Sequence, residues 1–150
     1  MANFAKIDDN GIVLNVVRMN NEDCLDESGN ESEAVGQAYL QKHNNWPADK
    51  WIQTSRHMAN GVHELGGTPL RANYASIGMK YDAANDIFHS NNKPYPSWVL
   101  NTTEGRWISP IGDAPDLPQA QEDENVNGVI KWAYIWNETS GAWDLTDISL

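Results

Sequence analysis

The sequence holds a single cysteine, Cys24, in 150 residues, so it closes no internal disulfide and offers no thiolate pair to a metal. It is also short of positive charge: 10 Lys and Arg stand against 21 Asp and Glu, a formal net charge of −11. Nucleic-acid phosphates and anionic membrane surfaces both call for clustered cations, so neither is an expected partner. No apolar run approaches the roughly 20 residues of a membrane-spanning helix. Residues 1–6, MANFAK, lack the apolar segment of a secretory signal. Catalytic signatures are missing too. There is no G-x-S-x-G, no G-x-x-x-x-G-K-[ST] and no G-x-G-x-x-G, and Cys24 has no basic neighbour to activate it. The expectation is a non-enzymatic chain with no cofactor.

Two polar clusters invite a metal reading and fall short of it. His57 and His63 are six residues apart with Glu64 adjacent, which is not the i, i+4 spacing of a helical zinc site, and nothing in the sequence brings His89 to them. Asp23, Asp26, Glu27, Asn30 and Glu31 are rich in oxygen but lack the twelve-residue calcium loop with its central Gly and closing Glu. A solvated acidic loop is the better reading.

What the chain does have is aromatic surface of one kind: seven Trp and five Tyr against two Phe. Such side chains carry a polar tip on a large apolar body and suit half-buried sheet faces and interfaces. The pattern predicts a mainly β (α+β) fold. Phe4–Ile7 and Ile12–Val17 flank Asp8-Asp9-Asn10-Gly11, a hairpin in which Asn10 and Gly11 supply positive φ angles. Residues 20–33 read as an exposed polar loop. One helix follows, capped by Ser32, with Ala34, Val35, Ala38, Tyr39 and Lys42 on one face, and ended by Asn44, Asn45 and Pro47. Residues 51–54 read as a strand and 55–76 as irregular, broken by Gly61, Gly66, Gly67 and Pro69.

The clearest signal is an internal repeat. Tyr81-Asp82-Ala83-Ala84-Asn85-Asp86-Ile87-Phe88, Leu100-Asn101-Thr102-Thr103-Glu104-Gly105-Arg106-Trp107 and Trp136-Asn137-Glu138-Thr139-Ser140-Gly141-Ala142-Trp143 share one layout. A large apolar residue precedes Asp or Asn, then come three mostly polar residues, Gly or Asp, a spacer and an aromatic. Asp or Asn opens a turn through its side chain, and Gly105 or Gly141 closes it in the left-handed conformation, with Asp86 a tolerated substitute. Leu100 would face Trp107, and Trp136 would face Trp143, across their strands. Gly11, Asn101, Gly105, Asn137 and Gly141 are thus the turn-defining residues. A lone two-stranded hairpin is marginal in water, so these units must pack on one another or on a partner. Tyr95, Trp98, Trp107, Trp132, Trp136 and Trp143 are the candidate interface residues. Lys93–Trp98, with Pro94 and Pro96, reads as a rigid connector. Residues 109–128 read as an acidic excursion, an arm that orders on a neighbour. The chain divides into a hairpin–helix–loop region, 1–78, and a repeated-hairpin region, 79–150, expected to form one compact unit.

The runs Trp51–Ser55, Gly61–His63, Gly66–Gly78, Tyr81–Asp82 and Lys93–Asn101, together with Cys24–Gly36, resemble a family of small proteins encoded by tailed phages of marine bacteria, cyanophages in particular. The resemblance covers most of the chain to residue 107. It departs at His89-Ser90-Asn91-Asn92, where relatives are richer in proline, and in the longer acidic insert 109–128. It implies a component of the virion, made in the host cytoplasm. With the acidic charge and the interfacial aromatics, the leading expectation is a decoration (cement) protein on the head exterior, in contact with capsid or tail proteins and with copies of itself. The alternatives are a tail-fibre or baseplate module that binds host glycans through Trp and Tyr, and a cell-wall or capsule hydrolase using a carboxylate pair.

Overall fold

Alternation along the first strand sets the architecture. In the computed structural model, which describes residues 1–149, β1 (Ala2–Ile7) lies between β2 (Val13–Met19) and β3 (Trp51–Thr54), antiparallel to both. Ala2 and Phe4 point to one face and Ala5 and Ile7 to the other, and all four are buried. The sheet is therefore apolar on both sides. One core joins Ala2, Phe4, Met19 and Trp51 to Cys24 and Leu40. The other joins Ala5, Ile7, Val13 and Ile52 to Ala75 and Phe88.

Helix α1 (Glu33–Asn44) covers the Phe4 face. The Ser32 hydroxyl accepts from Val35 N at the start, and Asn45 closes the helix with φ 50°. The face turned to the sheet is not the expected one. Gly36 and Leu40 are buried, whereas Ala34, Ala38 and Tyr39 are exposed. A Cβ on Gly36 would stand 2.4 Å from Phe4 Cζ, so the absence of a side chain is what lets the helix seat over the ring. The loop before the helix is also less open than its polarity suggests. Asn21–Cys24 forms a 3-10 turn that buries Cys24, whose Sγ–H donates to Asn21 O at 3.3 Å. Burial pushes the thiol up, with Glu31 adding to the shift, and Cys24 packs as part of the core.

In the first turn Asp8 Oδ1 accepts from the N–H groups of Asn10 and Ile12, and Gly11 alone takes positive φ, 81°. Asn10 does not, because the register shift beside Ile7 absorbs the extra residue. The stretch read as irregular contains a further hairpin, β4 (Met58–Ala59) with β5 (Val62–His63), turned by Asn60 and Gly61 at φ 49° and 82°.

The second half of the chain carries the repeat as three hairpins: β6 (Lys80–Asp82) with β7 (Ile87–His89), β8 (Val99–Asn101) with β9 (Arg106–Ile108), and β10 (Trp132–Asn137) with β11 (Ala142–Asp147). Their turns match. Oδ1 of Asp82, Asn101 and Asn137 accepts from the N–H groups two and three residues on. Asp86, Gly105 and Gly141 follow at φ 54°, 64° and 64°. Tyr81 faces Phe88, and Trp136 faces Trp143.

The chain divides into two compact units: residues 1–92 with 100–106, and residues 93–99 with 107–149. The first extends past residue 78 to take in β6–β7 and the β8–β9 turn. In the second, the acidic excursion is not a free arm. It contains helix α2 (Gln119–Asn127), closed by Gly128, and Asn125 both accepts from Trp132 N and donates to Trp132 O.

Candidate aromatic site

In the second unit four of the six candidate aromatics converge. Trp136 and Trp143 stand opposite across β10–β11 with ring centroids 5.3 Å apart. Trp98 packs edge-on against both, at 6.1 and 5.7 Å, and Tyr95 lies 5.3 Å from Trp98. These spacings suit edge-to-face aromatic attraction. Trp136 is only 4% exposed, so it is the core of this unit rather than open surface. Tyr95, Trp98 and Trp143 remain half-buried. Trp132 stands apart from the cluster, its indole N–H donating to Glu124 on α2. Trp107 carries Lys93 Nζ above its ring at 5.8 Å.

Polar bonds fix the cluster. Trp143 Nε1 donates to Gly112 O at 3.2 Å. Glu138 accepts from Trp136 Nε1 at 2.7 Å, Ser97 N at 2.8 Å and Ser97 Oγ at 2.7 Å, which clamps the proline connector to the hairpin. The indole N–H of Trp98 is buried without a partner among the described residues. These donors, Trp136 first and then Ser97, hold the Glu138 carboxyl below its ordinary value. A depressed carboxyl favours the fold above its unfolded value, and that contribution disappears as pH falls through the folded one. Acid titration followed by tryptophan fluorescence should therefore show a step that Glu138→Ala lacks. An identical titration in the variant would remove Glu138 from the clamp.

In the first unit two of the histidines stand close together. The rings of His57 and His63 lie 5.5 Å apart. His63 Nδ1 accepts from Leu65 N at 3.2 Å and Gly67 N at 3.0 Å, which leaves its proton on Nε2 and no lone pair to offer. Among the described residues no group of three His, Cys, Asp or Glu could hold a metal ion, and no helix is long and apolar enough to cross a membrane.

A separate network, centred on Arg71, was invisible in the sequence. Arg71 makes a two-pronged pair with Glu33 at 2.7 and 3.1 Å, donates to Asp86 at 2.7 Å and reaches Gln53 O at 2.9 Å. Tyr81 Oη donates to the same Asp86 oxygen. Burial and this bond push the Tyr81 hydroxyl up to about 12. Burial works against the Asp86 carboxylate, yet Tyr81 and Arg71 outweigh it and hold that group below its ordinary value. Asp86 thus serves the turn and the ion pair together, which explains a carboxylate where the other two repeats have glycine.

No family model, no curated protein and no solved structure matches this chain.

Proposed function

We propose that the chain is a non-enzymatic structural accessory protein of a tailed-phage particle, seated on the head exterior and docked through its second unit. The observation that carries this reading is the open hairpin of that unit. Its sheet is two strands of six residues each, β10 and β11, and among the described residues no third strand pairs with either edge, α2 covering β10 only at Trp132 through Asn125. Ile135 is 42% exposed on that hairpin, and Val126 and Val129 near α2 are 86% and 79% exposed. A two-stranded sheet gains from a third strand or a covering surface, and exposed edges pair readily with another chain. The formal charge of −11 favours a basic recipient surface. The resemblance to cyanophage proteins supplies the kind of particle.

A reconstruction of particles carrying the labelled chain tests the proposal. Copies in proportion to the capsid lattice are expected, and capsids lacking the protein should lose heat stability. A few copies confined to the tail, with adsorption lost and capsid stability intact, would replace this reading with host attachment. Free chain absent from purified particles would end both.

A further inference from the structure

The first unit holds a cavity of about 330 Å³ between the end of the three-stranded sheet and the β4–β5 hairpin. We propose that it binds a small polyhydroxylated anion, a monosaccharide carrying a carboxylate or a phosphate. This inference is independent of the docking role above. The volume lies at the low end for ligand sites and suits one sugar ring. Arg18, Arg56, His57, His63, Gln53 and Glu31 supply its chemistry. Strand register sets Arg18 beside Asn3, and Asn3 beside Thr54, so the three form one row across the sheet on a single face.

The charge distribution points to an anion. In a chain of net −11, two arginines line one cavity, and among the described residues neither Arg18 nor Arg56 pairs with a carboxylate. Arg56 Nε donates to His57 Nε2 at 3.4 Å, which leaves the rest of its fork free. Guanidinium forks match carboxylate and phosphate oxygens two at a time. His63 adds a fixed donor, because its Nδ1 is held by two backbone N–H groups and its Nε2 carries the proton. The loop is shaped for that ring: a Cβ on Gly67 would come within 2.9 Å of it. Also at the cavity, Glu31 Oε1 accepts from Gln53 Nε2 at 2.6 Å. This oriented carboxylate–amide pair offers both an acceptor and a donor to neighbouring hydroxyls. Two cations together with a carboxylate–amide pair in one lining describe an acidic sugar better than a bare oxyanion.

The test is titration of the full chain, followed by amide resonances of residues 55–70, with glucuronate, glucose 6-phosphate, glucose and inorganic phosphate. At least one of the two acidic sugars should bind saturably, and glucose and phosphate should each bind about tenfold more weakly or worse. Saturation by only one acidic sugar identifies the anionic group and upholds the proposal. The double variant Arg18→Gln, Arg56→Gln changes two exposed side chains and should keep the fold while losing about tenfold or more in affinity. His63→Gln should weaken binding as well; if it unfolds, the arginine pair alone decides. No saturation by either acidic sugar, glucose or phosphate binding as tightly as they do, or an unchanged double variant would each overturn the proposal.

Discussion

Gly105→Ala should destabilise the protein by about 3 kcal/mol, whereas Gly141→Ala should cost about 1 kcal/mol, although both glycines close the same turn. The common part is conformational. Both residues sit at φ 64°, where an L-residue with a Cβ loses about 1 kcal/mol relative to glycine. The difference is what surrounds them. A Cβ on Gly105 would lie 2.5 Å from Asn73 Nδ2 and 2.8 Å from both Ala72 Cβ and Phe88 O, while nothing lies within 4 Å of one on Gly141. Two of those three neighbours can retreat only by breaking a hydrogen bond or moving a strand. Overpacking of that kind adds about 2 kcal/mol. Denaturant unfolding of the two variants, followed by far-UV circular dichroism and read against wild type, checks the pair. Equal losses would mean that turn strain alone matters and that the packing around Gly105 is soft.

The repeat could be read from the sequence because its information is local. An Asx side chain bonding the N–H groups two and three residues on, and a left-handed residue closing the loop, depend on eight consecutive residues and little else. The Ser32 cap of α1 and its end at Asn44 and Asn45 were legible for the same reason. The buried face of α1 was not, because it depends on Gly36 meeting Phe4, residues 32 positions apart. Helix α2 was hidden by composition. Its acidic, aromatic-free sequence reads as an arm, and what anchors it is Trp132 bonding to Glu124 and Asn125 across a turn. Of the candidate aromatics, sequence spacing paired Trp136 with Trp143, but it gave no sign that Tyr95 and Trp98 come from the proline connector to join them. The Arg71 network and the Arg18–Arg56 cavity were equally silent. Each assembles single residues from distant segments, and no spacing rule marks a residue whose partners lie 15 to 38 positions away.

Asn73 offers the second large effect, because one side chain ties three hairpins together within the first unit. Its Nδ2 donates to Phe88 O at 2.8 Å and Gly105 O at 2.9 Å, with a longer contact to Glu104 O at 3.4 Å. Its Oδ1 accepts from Asn60 N at 2.9 Å. The bonds reach β7, the β8–β9 turn and the β4–β5 turn, elements whose strands are only two or three residues long and hold little by themselves. Asn73→Ala strips two part-buried carbonyls of their donor, while the exposed Asn60 N–H passes to water, and should cost about 3 kcal/mol. Asn73→Asp separates hydrogen bonding from volume. The two side chains have nearly the same shape, and Asp keeps the acceptor for Asn60, but an ionised carboxylate would face the carbonyl oxygens of Phe88 and Gly105 with no proton to give. At neutral pH the Asp variant should therefore be at least as unstable as the Ala variant. Those carbonyls favour the protonated acid, so the carboxyl's folded value should lie above its unfolded one. Stability should then return as pH falls and disappear as pH rises through that raised value. Unfolding midpoints for wild type, Asn73→Ala and Asn73→Asp at pH 7 and in mild acid provide the comparison. An Asp variant as stable as wild type at pH 7 would show that the three hairpins are held together by their apolar contacts, with Asn73 filling space between them.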